Sequence, residues 1–151
     1  MSDKEPFQIT TEVAIAATPE TVWSQLTDFE AFASWNPFMI EVSGDPTLGS
    51  KLQVRMQPPG GSTMTFRPTV TEATAPNRFE WLGNLLFRGL FDGRHRFELE
   101  SAGSGTRLVH SEQFTGILVP LMRKALETRT RAGFEAMNHA LKERVESLQS
   151  S

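Results

Sequence analysis

From Phe7 the chain alternates. Phe7, Ile9, Val13 and Ile15 share one parity, and Gln8, Thr10 and Glu12 share the other. A period of two with one apolar side is the mark of a half-buried β-strand. The period changes in TPETVWSQL, where Thr18 can cap a helix, Pro19 suits its first turn and Glu20 favours the positive end of the helix dipole. Val22, Trp23 and Leu26 supply that helix with an apolar stripe. A second short helix is expected over DFEAFASW, with Phe29, Phe32 and Trp35 inward, and Pro37 stops it because the residue before a proline avoids helical angles. Short alternating runs follow at about 39–44, 51–57, 63–72, 78–87, 92–101 and 105–114, separated by breaks rich in Gly, Pro, Asn or Ser. Pro68, inside the third of these, argues for an edge or a bulge there.

After the last strand the spacing becomes helical and stays so. Leu121, Met122, Ala125, Leu126, Arg129, Gly133, Met137, Leu141, Val145 and Leu148 keep one stripe, and Pro120 is tolerable in a first turn. A helix of about 28 residues would run roughly 42 Å. A helix with a single apolar stripe must lie on an apolar surface, and the only one in prospect is the sheet. The order is one strand, two short helices, six strands and one long helix. That makes an α+β fold: a curved antiparallel sheet of about seven strands wrapped around a long C-terminal helix. Residues 7–149 read as a single domain, and residues 1–6 as a flexible N-terminus.

Composition narrows the partners. The chain has 151 residues and a net charge of −3 with no basic block, so nucleic acid is not an expected partner. Cysteine is absent, which removes disulfides, thiolate nucleophiles and Cys-zinc sites and fits a reducing compartment. No run approaches 18 apolar residues and the N-terminus lacks an apolar signal core, so membrane insertion is not expected and a cytoplasmic location is. Either a monomer or a homodimer fits.

The last two strands hold the chemistry. In GRHRFELE, Arg94, Arg96, Glu98 and Glu100 alternate with His95, Phe97 and Leu99. The charged side must face water, so His95 points inward. In TRLVHSEQF, Arg107, Ser111 and Gln113 suit the wet side, which leaves Leu108, His110, Glu112 and Phe114 inward. A four-residue Ala102–Gly105 loop sets Leu99 opposite Leu108, Phe97 opposite His110 and His95 opposite Glu112. A two-residue loop would instead oppose His95 and His110, but it puts Ala102 where a positive φ is wanted. The first register is preferred, and it sets an imidazole beside a carboxylate. Such a pair is either a structural polar cluster or a ligand contact; it does acid–base work only if substrate reaches it. His95, His110 and Glu112 are also a ligand set that zinc or iron accepts, but their spacing matches no metal motif, so no metal and no cofactor is assigned.

The element order, together with WNPFMIEVSG at 35–44, LFDGRHRFELE at 90–100 and HSEQFTGILVPLM at 110–122, resembles the helix-grip fold of the START and Bet v 1-like superfamily. That superfamily contains polyketide cyclase/dehydrase-like proteins and SRPBCC ligand-binding domains. The resemblance implies a deep cavity between sheet and long helix, open at one end. The favoured reading is a binding module or carrier for a small, mostly hydrophobic molecule. His95, His110 and Glu112 would make its polar contacts. Trp81, Phe97, Phe66, Met56, Leu108, Phe114, Met122 and Met137 would line it, and Trp35 would sit at its rim. For each aromatic the competing assignment is ordinary core. The alternative is a cyclase, dehydratase or hydrolase in which His95, oriented by Glu112, moves a proton. A third reading, a chaperone-activator-like interaction module, calls for a large exposed apolar patch that the sequence does not show.

Overall fold

The computed structural model describes residues 7–85 and 87–149. The expected flexible segment 1–6 lies outside them. Strand β1 (Phe7–Ile15) leads into helix α1 (Pro19–Leu26), a 3₁₀ turn (Phe29–Ala31) and helix α2 (Phe32–Trp35). Then come β2 (Met39–Ser43), β3 (Gln53–Met56), β4 (Met64–Phe66), β5 (Thr69–Thr74), β6 (Arg78–Asn84), β7 (Asp92–Ala102) and β8 (Gly105–Thr115). A continuous helical run closes the chain: α3 (Val119–Ala125), a π-helical turn (Leu126–Thr130) and α4 (Arg131–Gln149).

The caps form as their chemistry dictates. Thr18 Oγ1 accepts from the Thr21 N–H at 3.3 Å, and Pro19 opens α1. At the end of α2, Asn36 Oδ1 accepts from the backbone N–H groups of Phe38 and Met39, both at 2.9 Å. That clamp turns the chain from α2 into β2.

All strand pairs are antiparallel, in two sheets: five strands in the order β1-β8-β7-β6-β5 and three in the order β2-β3-β4. The expected strand over 63–72 is therefore two strands, broken at Arg67 and Pro68, one in each sheet. Proline has no N–H to give the ladder, so pairing changes partners there. The sheets stay joined at that point, because Leu52 N–H donates to Pro68 O at 2.8 Å and Val70 N–H to Ser50 O at 2.9 Å.

The long helix lies across the concave side. Phe134, Met137, Leu141 and Val145 are buried along it and meet Ile9, Leu99 and Leu108 in one core. Burying each such side chain contributes about 1.5–3 kcal/mol. Gly133 is the point of closest approach, since a Cβ there would overlap the Phe38 ring. The outer face carries the charges. Glu80 lies between Arg94 (2.8 Å) and Arg96 (2.6 Å), and Arg107 bridges Glu12 and Glu100. Burial pushes the Glu80 carboxyl up, but hydrogen bonds from Arg96, Arg94 and Thr71 outweigh it and hold it below the usual range. Ser111, expected on the wet side, is buried, because Thr10 and the long side chain of Arg96 flank it on the neighbouring strands.

Candidate ligand-binding cavity

In the β7–β8 hairpin His95 pairs with Glu112, Phe97 with His110 and Leu99 with Leu108. The ladder continues to Ala102–Gly105, so the connection is the two residues Gly103 and Ser104 rather than a four-residue loop. Gly103 takes the positive φ (+62°) that a tight hairpin turn needs, which leaves Ala102 in the strand and the preferred register intact.

Behind that pairing runs a buried polar chain. Glu112 Oε1 lies 3.1 Å from His95 Nδ1, and His95 Nε2 lies 2.6 Å from His110 Nε2. His110 Nδ1 lies 2.8 Å from Asn138 Oδ1 on the long helix. Asn138 Nδ2 donates to Thr11 Oγ1 at 2.8 Å, and the Thr11 hydroxyl donates to the backbone carbonyl of His110 at 3.1 Å. Aromatic rings wall the chain in: His110 stacks on Phe134 with centroids 4.1 Å apart, and Trp81 lies 5.2 Å from His95. Burial, and then the neighbouring imidazole of His95, push the His110 pKa well below its ordinary value, which favours the neutral ring. The three groups form a line, not a cage. Among the described residues no group of three or more His, Cys, Asp or Glu is placed to hold a metal ion.

One end of this line opens into a cavity of about 230 Å³. The large sheet gives it Trp81, Gly83, Phe91, Gly93, Glu112 and Phe114. The small sheet and its β3–β4 loop give Met56, Pro58, Gly61, Ser62, Met64 and Phe66, and Phe38 and Pro68 complete that wall. The helix gives Met122, Ala125, Leu126, Arg129 and Thr130, the last three from the π turn. An extra residue per turn re-aims side chains, and such turns recur at binding sites. Among the described residues Glu112 is the only acid in the lining and Arg129 the only base. Arg129 is exposed and has no hydrogen-bond or ion-pair partner among the described residues.

The structure thus sorts the sequence candidates into two groups. Glu112, Trp81, Phe66, Met56, Phe114 and Met122 face the cavity. His95, His110, Phe97, Leu108 and Met137 do not; they are packed solid in the core. Trp35 is no rim residue either, because its ring stacks edge-on against Phe32 at 5.1 Å, away from the cavity. Sequence reasoning missed Asn138, although it lies four residues from Phe134 and three from Leu141 on the buried stripe. It also missed Gly93, which shares the inward parity of His95. A Cβ at Gly93 would overlap Glu112 Oε2. Arg129 stands on the helical stripe in the sequence, where nothing marks it as a cavity residue.

The sequence model of the family described as "Polyketide cyclase / dehydrase and lipid transport" matches residues 6–146. The chain belongs to that family. It is a helix-grip protein of the START and SRPBCC superfamily, whose members bind small hydrophobic ligands. None of the curated proteins matches its sequence significantly. Among solved structures, a START superfamily protein from Mycobacterium smegmatis superposes with a TM-score of 0.72 at 24% identity, over 93% of this chain and 98% of that one. TTHA0849 from Thermus thermophilus gives 0.74 at 18% identity, over 93% and 98%. The di-domain ARO/CYC StfQ from the steffimycin biosynthetic pathway gives 0.77 at 13% identity, over 95% of this chain and 52% of that one. At these identities the likeness establishes the fold. With the family match it places the chain in a hydrophobic-ligand-binding or cyclase-type role. No helix among the described residues is long and apolar enough to cross a membrane.

Proposed function

We propose that residues 7–149 act as one unit that holds a small, mostly apolar molecule in the cavity between sheet and helix, as a binding or carrier protein. The supporting observation is the cavity: about 230 Å³, walled by methionine and aromatic side chains, with Glu112 on the sheet and Arg129 on the helix as its two charged groups among the described residues. Ligand pockets are mainly apolar with a few orienting polar groups, and those for drug-sized molecules begin near ~300 Å³, so a small occupant fits best. The methionines let the walls adapt to its shape.

The second reading is a cyclase-type enzyme. It is favoured by one observation: Glu112 lines the cavity with one carboxylate oxygen that has no hydrogen-bond partner among the described residues, and its other oxygen meets an imidazole. In that case Glu112 meets the substrate and His95 supports it, the reverse of the roles read from sequence, because His95 has no access to the cavity.

Native mass spectrometry after incubation with a metabolite extract tests both. Ala125→Trp is the control, because Ala125 is exposed yet lines the cavity, so an indole there fills it without disturbing the core. A bound species retained by the wild type and lost in Ala125→Trp is the expected result. Recovery of that species unchanged marks a binder; conversion marks an enzyme. Equal retention by both proteins counts against the cavity as the site.

A further inference from the structure

The buried line from Glu112 to Asn138 fixes its own protons. A backbone carbonyl accepts and cannot donate, so Thr11 must donate to His110 O. Thr11 Oγ1 then accepts from the Asn138 amide, which turns Asn138 Oδ1 toward His110. His110 Nδ1 therefore carries a hydrogen. Each of the next two links, His110 to His95 and His95 to Glu112, also needs one hydrogen, or two lone pairs would face each other at 2.6 Å or 3.1 Å. Three links require three protons. An ionised carboxylate with two neutral imidazoles has only two.

We propose that Glu112, His95 and His110 together hold three protons, so that the cluster is electrically neutral and offers the cavity a hydrogen-bond acceptor, Glu112 Oε2, selecting a ligand with a neutral donor such as a phenol or alcohol hydroxyl. Three placements satisfy the count. The extra proton is on Glu112 Oε1, on His95, or on His110. Burial disfavours the last. In each of the three the hydrogen between Glu112 and His95 engages Oε1, carried by it or donated to it by His95 Nδ1, so Oε2 stays an acceptor. Oε2 lies over Gly93 and has no protein partner among the described residues. A carboxylate or a bare carbonyl would bring lone pairs against it, and a cation would find no net charge to meet.

Among the described residues the surroundings add no competing titratable group. Strand β1 presents Ile9 and Thr11, β6 presents Trp81, and the helix presents Phe134 and Asn138. Arg129 is the only other charged residue lining the cavity among the described residues.

The proton count is read on the unliganded protein, by ¹⁵N shifts of the two imidazoles and the ¹³C carboxyl shift of Glu112 at neutral pH. The expected result is a His110 Nδ1–H, with either a protonated Glu112 and two neutral rings or an ionised Glu112 and one imidazolium. An ionised Glu112 with two neutral rings, or a bare His110 Nδ1, overturns the proposal. The ligand class rests on the binding reading above and has its own probes: 2-naphthol, naphthalene and 2-naphthoate. 2-Naphthol should bind about tenfold more tightly than naphthalene, the worth of one hydrogen bond. Glu112→Gln should keep that preference, because its amide can donate to His95 and leave its oxygen to the cavity, whereas Glu112→Leu should abolish it. Equal binding of naphthol and naphthalene, or a preference for naphthoate that needs Glu112, overturns the ligand class. Failure of every probe to bind counts against the binding reading, while the proton count still stands or falls by the shifts.

Discussion

Gly93 holds Glu112 in place by having no side chain. The carboxylate oxygen occupies the space a Cβ would take, while the other oxygen bonds His95. Gly93→Ala should push the carboxylate off the imidazole and leave a buried hydrogen-bonding group unpaired. The expected loss is about 1–3 kcal/mol, read from the shift in denaturation midpoint. An unchanged midpoint would show that the glycine has no such role. His110 makes a second prediction. Its folded pKa is depressed, so between that value and about 6.5 the unfolded chain binds a proton that the native ring refuses. The contribution of His110 itself is then full above pH 6.5 and is lost as pH drops below it, by up to about 1.4 kcal/mol per pH unit. The carboxylates of Glu12 and Glu146, lowered by their hydrogen bonds to Arg107 and Lys142, give up their stabilisation only further down, below their ordinary value of 4.5. Urea unfolding at pH 6.5, 5.5 and 4.0 separates the two windows. A flat profile from 6.5 to 5.5 would contradict a neutral buried His110.

The helix meets the sheet most closely at Gly133. Alanine there gains about 1 kcal/mol of helix propensity but must displace the Phe38 ring, which overpacking data price at about 1–3 kcal/mol. Gly133→Ala should therefore be destabilising on balance, and a raised thermal midpoint would mean the helix has room to lift. Elements of this kind were legible from sequence to different degrees. The β7–β8 register could be read because Arg94, Arg96, Glu98 and Glu100 alternate with apolar residues, which leaves one side for His95. The break at Pro68 was visible as a single residue. That it divides two sheets was not, because the division depends on the bonds from Leu52 and Val70, residues distant in sequence from their partners. The π turn left no sequence signal, and it is what brings Arg129, Thr130 and Leu126 to the cavity. Asn138 was hidden for another reason: a polar residue on an apolar stripe looks like a flaw until the groups it satisfies, His110 and Thr11, are placed in space.

Across the molecule, one arrangement explains why some expected site residues line the cavity and others are core. Where the small sheet and the π turn diverge from the large sheet, a hollow remains, and Met56, Phe66 and Met122 face it. Where α4 lies flat on β1 and β8, nothing is left open, and Leu108 and Met137 are sealed. The polar line crosses from one zone to the other. Large apolar side chains do lie exposed, among them Phe87, Ile117 and Leu121, but nothing in the structure shows what would cover them. The proposed binding therefore depends on the hollow, and the methionines report on it directly. With ¹³C-labelled methionine methyl groups, a titration with 2-naphthol is predicted to shift the signals of Met56, Met64 and Met122 together and leave buried Met39 and Met137 unmoved. No saturable shift at the three cavity methyls, or shifts confined to residues outside the lining, would contradict it.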